Sequence, residues 1–302
     1  MKKTLGFFGI LAVLSIACSS IAPSAPQSVE TDVSPQPVIE QPADGQAAAQ
    51  NTLLYVSGTI HIETNRKTWP DPDALLAFFE DVTALGMRWS ISADIGWLEG
   101  EPRAAEVIQK SEALGIEWDV HVHRAQDRGQ VAYLIRQYGG HPTSVYSGFR
   151  MEEFENIIQP ASYQGYTWQP GVLWGAVFCP GHGPGCDNDA VGLWYPLSGA
   201  EYQTHNPNGQ YVHVGGGAHG LDDARTLTQE IAAGTYNYPV ISYTIMVQPT
   251  SLENFTTGEG IDEIRAFVQE MQAYPFVRWA TIEETAQAWV AAGSVPSQIQ
   301  LP

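Results

Sequence analysis

Basic residues are scarce in this sequence. Lys and Arg number 14 against 33 Asp and Glu in 302 residues, a formal net charge of −19. Binding a phosphate backbone calls for a basic face, so nucleic acid is not an expected partner. Long apolar runs are missing too. The longest, Leu5–Ile16, has about a dozen residues, short of the roughly 20 that cross a bilayer. No glycine-rich phosphate loop follows the first strand-like segment, which argues against a nucleotide-binding first turn. Cysteine is limited to Cys18, Cys179 and Cys186.

What is present at the N-terminus reads as an export signal. Lys2 and Lys3 precede the apolar run, and Ala17-Cys18 offers a small-residue cleavage point. Leu14-Ser-Ile-Ala-Cys18 resembles a bacterial lipoprotein box in which the usual Leu stands one residue nearer the Cys. The resemblance implies residues 1–18 as signal, lipidation of Cys18, and a protein held at the outer side of the membrane by that anchor alone. Residues 19–51 are rich in Ser, Pro, Ala, Gln and Glu, a composition that buries too little apolar surface to fold. They are expected to be a disordered tether. Residues 52–302 have the length of one large domain, and nine Trp supply material for a core or for sugar-stacking surfaces. In an exported chain, Cys179 and Cys186 are expected to form a disulfide. His182 between them leaves a metal knuckle as the alternative.

Side chains at i, i+2 and i+4 of a strand share a face. In Ile116–His123 one face carries Glu117, Asp119, His121 and His123, and the other Trp118, Val120 and Val122. A strand that only fills a core has no use for an acid-and-imidazole face. Leu53–Glu63 repeats the pattern, with Tyr55, Ser57, Thr59, His61 and Glu63 on one side. Arg88–Ile95 places Ser90, Ser92 and Asp94 together, and Ser144–Phe149 leads into Arg150. Helical segments separate these strands. Asp71 and Pro72 open the first, Pro102–Leu114 forms the second, and Gln130–Tyr138 the third. Alternating strands and helices predict βα units and a parallel sheet, closed into a single (β/α) barrel of seven or eight parallel strands. The polar residues gather at the C-terminal ends of the early strands, the end that forms the mouth of such barrels.

Beyond Arg150 the pattern loosens. Met151–Ile158 reads as a short helix and Gly171–Phe178 as a strand, followed by a long aperiodic stretch to Gln210. Regularity returns with strands at Tyr211–Val214, Pro239–Val247 and Phe276–Ala280. Helices are predicted at Asp222–Ala233, Ile261–Ala273 and Thr281–Ala292, and Thr281 with Glu284 matches a capping box.

On Thr59-Ile-His-Ile-Glu63, Asp119-Val-His-Val-His123, Ser147-Gly-Phe-Arg150 and the closing Val277-Arg-Trp-Ala-Thr281, the chain resembles the polysaccharide deacetylase (NodB-like) family. The resemblance implies a NodB-like (β/α) barrel and metal-assisted removal of acyl groups from a carbohydrate or cell-wall glycan. The sequence departs from the family in three places. His61-x-Glu63 replaces paired aspartates, the two histidines are two apart rather than four, and Ser242–Met246 lacks the late-strand His.

The residues themselves suggest Glu63, His121 and His123 as ligands of one divalent ion, with zinc the leading choice; two His and a carboxylate with open positions is a recognised catalytic set. Such an ion polarises an acyl carbonyl and lowers the pKa of water to about 7. Asp94 is the expected proton acceptor, and His61 the general acid or a fourth ligand. Arg150 and Trp97 are expected to bind substrate, and Asp119 to accept a hydrogen bond from a ligating imidazole. Trp168, Trp194, His213 and His219 are further candidates near the mouth. Two other readings compete: a glycoside hydrolase using Glu63 and Asp94 without metal, and a non-catalytic glycan-binding lipoprotein.

Overall fold

The computed structural model describes residues 52–63, 71–175, 190–216, 220–247 and 259–301. The expected signal, the tether, Cys18, Cys179, Cys186, His182 and His219 lie outside them.

Strand β1 (Leu53–Ile62) is the axis of the sheet. It is followed by β2 (Trp89–Ala93), β3 (Glu117–His121) and β4 (Pro142–Ser147), then by the short β5 (Ala161–Tyr163), β6 (Tyr166–Trp168), β7 (Val172–Trp174) and β8 (Gly192–Trp194). Strands β9 (Val212–Gly215), β10 (Val240–Val247) and β11 (Val277–Trp279) complete the set. Seven of them run parallel in the order β10-β1-β2-β3-β4-β7-β9. β8 adds antiparallel to β9, and Ser242 Oγ on β10 donates to Gly192 O on β8 at 2.9 Å, so the sheet nearly closes. The eighth barrel position is therefore antiparallel. β11 and β2 share one edge of β1: β11 pairs along Leu54–Val56 and β2 along Gly58–Ile62.

The connecting helices are α1 (Pro72–Ala84), α2 (Ile95–Gly100), α3 (Ala104–Ala113), α4 (Arg128–Gln137), α5 (Phe154–Ile157), α6 (Leu221–Ala232), α7 (Glu259–Met271) and α8 (Ile282–Ala291). Asp71 caps α1, its Oδ1 accepting from the backbone N–H of Asp73 and Ala74 at 2.9 and 3.1 Å, with Pro72 at the first position. Thr281 and Glu284 form the predicted reciprocal capping box of α8. Arg88, just before β2, grips the same Glu284 through two hydrogen bonds of 3.2 and 2.7 Å.

Two packed layers follow from strand alternation. The outer faces of β1 to β3 bury Val56, Ile60, Trp89, Ile91, Trp118 and Val120 beneath the helices. At Gly58 the strand passes directly under the Trp89 ring. A Cβ there would sit 2.1 Å from it, so only glycine fits. The barrel interior divides into two sectors. Val145, Val172, Trp174, Val212 and Val214 face Ile282, Ala286 and Trp289 of α8, which seals that side with apolar surface. The inner faces of β1, β2 and β3 stay polar.

The loosely patterned region differs from expectation. Met151–Ile158 is a 3-10 turn followed by the one-turn α5, and β7 ends at Trp174. The hairpin of β5 and β6 turns at Gln164-Gly165, both with positive φ (46° and 80°). Three-residue strands give too little alternation to be read from sequence. The expected Pro102–Leu114 helix begins at Ala104, and a separate short helix, α2, precedes it because Asp94 caps it.

Candidate metal centre

β1 and β3 are both neighbours of β2 and run parallel to it, so their C-terminal ends open on the same rim. Period-two alternation turns His61 and Glu63 inward from β1, and His121 and His123 inward from β3. His61, Glu63 and His121 are buried, at 5, 5 and 2 % exposure, and their ligand atoms lie within 4.8 Å of one another. The imidazoles of His61 and His121 tilt at 44° with centroids 4.4 Å apart. His121 Nε2 is 3.4 Å and His123 Nε2 is 3.6 Å from the same atom, Glu63 Oε1. His61 thus joins the mutually close set, and His123 reaches its carboxylate from the half-buried rim.

Each ring is held from behind. His121 Nδ1 is hydrogen-bonded to Ser147 Oγ at 2.9 Å. His123 Nδ1 donates to Gly148 O at 2.8 Å, which leaves a lone pair on Nε2 of the neutral ring, turned toward Glu63. An imidazole lone pair and a carboxylate oxygen 3.6 Å apart call for a proton or a cation between them. Donors bound tetrahedrally about 2.1 Å from one ion stand roughly 3.4 Å apart, close to the spacings found here. The donor set therefore fits a divalent ion.

Burial raises the Glu63 carboxyl, but hydrogen bonds and charge from His121 and His123 overcome it and hold the group well below the usual carboxylate range. Burial pushes His121 down, against Glu63, and so favours the neutral ligating form. Glu63 raises His123 against its partial burial.

The other expected site residues are placed as follows. Asp94 stands at the end of β2 and caps α2, its Oδ1 accepting from Trp97 N–H at 3.0 Å; its charge acts on His121. Arg150 is exposed at the rim, 3.7 Å from Glu152, and its charge reaches His123. Asp119 does not accept a hydrogen bond from an imidazole. Its Oδ1 accepts from Thr143 Oγ1, and Ser147 holds His121 in its place, because β4 brings Ser147 opposite His121 in register. Trp97 does not line the mouth. It is fully buried on the outer side of the sheet, stacked on Trp118 at 5.8 Å. Trp168 and Trp194 are likewise packing residues, donating to Thr143 O and Tyr202 O. His213 lies on the outer face of β9 between Trp194 and Tyr202, where burial pushes it down to about 3.

Sequence reading missed Ser147, Gly148 and Trp174. The indole of Trp174 meets His61 edge to face at 5.0 Å. Its only sequence signal is its position at the end of an apolar Val-Leu-Trp strand.

No family model and no curated protein matches this chain. Solved structures do. A protein described as a glycoside hydrolase/deacetylase from Parabacteroides distasonis aligns over 79 % of this chain and 71 % of its own, at 13 % identity and TM-score 0.53. A protein named as a polysaccharide deacetylase from Pseudomonas aeruginosa PAO1 aligns over 86 and 96 %, at 10 % identity and TM-score 0.53. The Puue allantoinase aligns over 87 and 96 %, at 10 % identity and TM-score 0.50. The chain has the polysaccharide deacetylase (NodB-like) fold: a mostly parallel, nearly closed barrel.

Proposed function

We propose that this chain is a metal-dependent hydrolase that removes acyl groups from a glycan outside the cytoplasm. The observation that carries the reading is the convergence of His121 Nε2 and His123 Nε2 on Glu63 Oε1 at 3.4 and 3.6 Å, with His61 in the same buried set. A carbohydrate substrate is supported by the deacetylase names of the fold neighbours. Export and anchoring through Cys18 rest on the N-terminal residues alone.

His61, Glu63 and His121 would hold the ion, with His123 as the fourth donor from the rim. When bound, the ion supplies Lewis acidity toward an acyl carbonyl. Ser147 and Gly148 fix the two imidazoles so that their ligating nitrogens face Glu63. Asp94 takes the proton of the attacking water and returns it to the leaving nitrogen or oxygen as the acyl bond breaks. Arg150, at the rim, orients polar or anionic groups of the glycan. A metal-free glycosidase fits less well. It has no role for the two imidazoles turned on Glu63 Oε1 at 3.4 and 3.6 Å.

The test is metal content of the purified full chain, followed by acetate release from acetylated chitooligosaccharide or peptidoglycan. One equivalent of zinc or another divalent metal, chelator-sensitive acetate release, and loss of both in His121→Ala support the reading. A metal-free protein that liberates reducing sugar, or binds glycan without turnover, overturns it.

A further inference from the structure

Beneath the His–Glu set, the inner faces of β1, β2 and β3 continue as oxygen donors. Thr59, Ser90 and Glu117 occupy one row across the three strands, and His61, Ser92 and Asp119 the next row toward the mouth. Neighbouring strands stand about 4.8 Å apart, so inward side chains of one row are in reach of each other. Thr59, Ser90, Ser92 and Asp119 are each 0 or 1 % exposed. Yet among the described residues no well-formed hydrogen bond reaches Thr59 Oγ1, Ser90 Oγ, Ser92 Oγ, Asp119 Oδ2 or Glu117 Oε2; the Ser90 and Thr281 hydroxyls lie beside the Asp119 and Glu117 carboxyls only as uncharged neighbours. Buried polar atoms are normally satisfied, and five such atoms on three adjoining strands call for a shared partner.

We propose that these five oxygens hold a second cation, distinct from the one bound by the imidazoles above. The set contains no nitrogen or sulfur. Carboxylate and hydroxyl oxygens suit a hard cation such as calcium or sodium rather than zinc. Charge points the same way. Arg88 is the cation whose field reaches Glu117, and its guanidinium is already engaged by Glu284. Asp119 has only uncharged hydroxyls beside it, Thr143, which donates to Oδ1, and Ser90. A hydroxyl that ligates a cation through its lone pair still has its proton to give to a neighbouring carboxylate. The lower cation would also screen the two acids from the imidazole set, with which they share the His61 row.

The experiment uses the full chain, stripped with EDTA and EGTA and exchanged into choline chloride. CaCl2, MgCl2, NaCl and KCl are titrated separately while Tm is followed, and bound ions are counted by elemental analysis. The expected result is a saturable rise in Tm with calcium or sodium and one retained equivalent for calcium. S92A and D119N should each abolish that rise while leaving zinc uptake unchanged; H121A should do the reverse. Zinc content, read on the same samples, separates failure of the upper site from failure of the lower one. A wild-type Tm insensitive to all four salts, or a rise that persists in both S92A and D119N, overturns the proposal, since water or protons alone would then satisfy these oxygens.

Discussion

The imidazole of His121 lies against the backbone of Gly148: a Cβ added at Gly148 would stand 2.6 Å from His121 Cε1. Gly148 also has φ +78° and offers its carbonyl to His123. One residue thus sets the position of both rings on β3. Gly148→Ala is expected to displace His121 and to add left-handed strain of about 1–2 kcal/mol. Metal affinity should fall by more than the loss in Tm implies. Zinc titration alongside thermal melts of the metal-free protein checks this, and unchanged affinity would refute it.

Ser147→Ala removes the hydroxyl partner of His121 Nδ1 and little else. Loss of such a supporting bond typically lowers metal affinity about 10–100-fold. Competition with a chromogenic chelator measures it, with Tm of the metal-free protein expected to stay close to wild type.

Trp97→Ala should act on stability rather than on glycan binding. Its ring is wholly buried on Trp118 under the helices, so truncation is expected to remove about 3–5 kcal/mol. Urea unfolding gives the stability change. Any glycan affinity that remains measurable should match wild type.

Glu117 gives a pH signature. Burial pushes its carboxyl up to about 7, with Glu283 and Glu284 adding to the effect and the Thr281 hydroxyl and Arg88 opposing it; Asp119 is its neighbour on the strand face. The folded state then holds a proton that the unfolded chain has lost. Stability should therefore decline as pH rises from about 4.5 to about 7, by roughly 3 kcal/mol at most. In cation-stripped protein, Glu117→Gln should flatten that decline. Urea midpoints at several pH values test it, and parallel wild-type and variant curves would count against it.

How much of this could be read beforehand differs between the two halves of the chain. Through Arg150 the strands are long enough for alternation to show. The inward placement of His61, Glu63, His121 and His123 then follows from counting residues. After Arg150 every strand but β10 shrinks to three or four residues, below the length at which period two is distinguishable, so the β5–β6 hairpin and β8 went unseen. Aromatic residues misled for a related reason. Trp97 looks like a mouth residue by chain position, but Asp94 starts a helix that folds it back onto Trp118.

Sequence alone determined the inner and outer face of each early strand, the caps at Asp71 and Thr281, and the end of the sheet at which acids and imidazoles collect. These are local properties, set by alternation along a strand and by side chains bonding to nearby backbone. Tertiary structure decided which groups meet. Only the register of β3 on β4 gives His121 to Ser147 rather than Asp119, and only the parallel pairing of β1, β2 and β3 aims two imidazoles at one oxygen of Glu63. Register is settled by packing between strands distant in the chain; alternation along one strand limits it to every second residue but does not choose the partner.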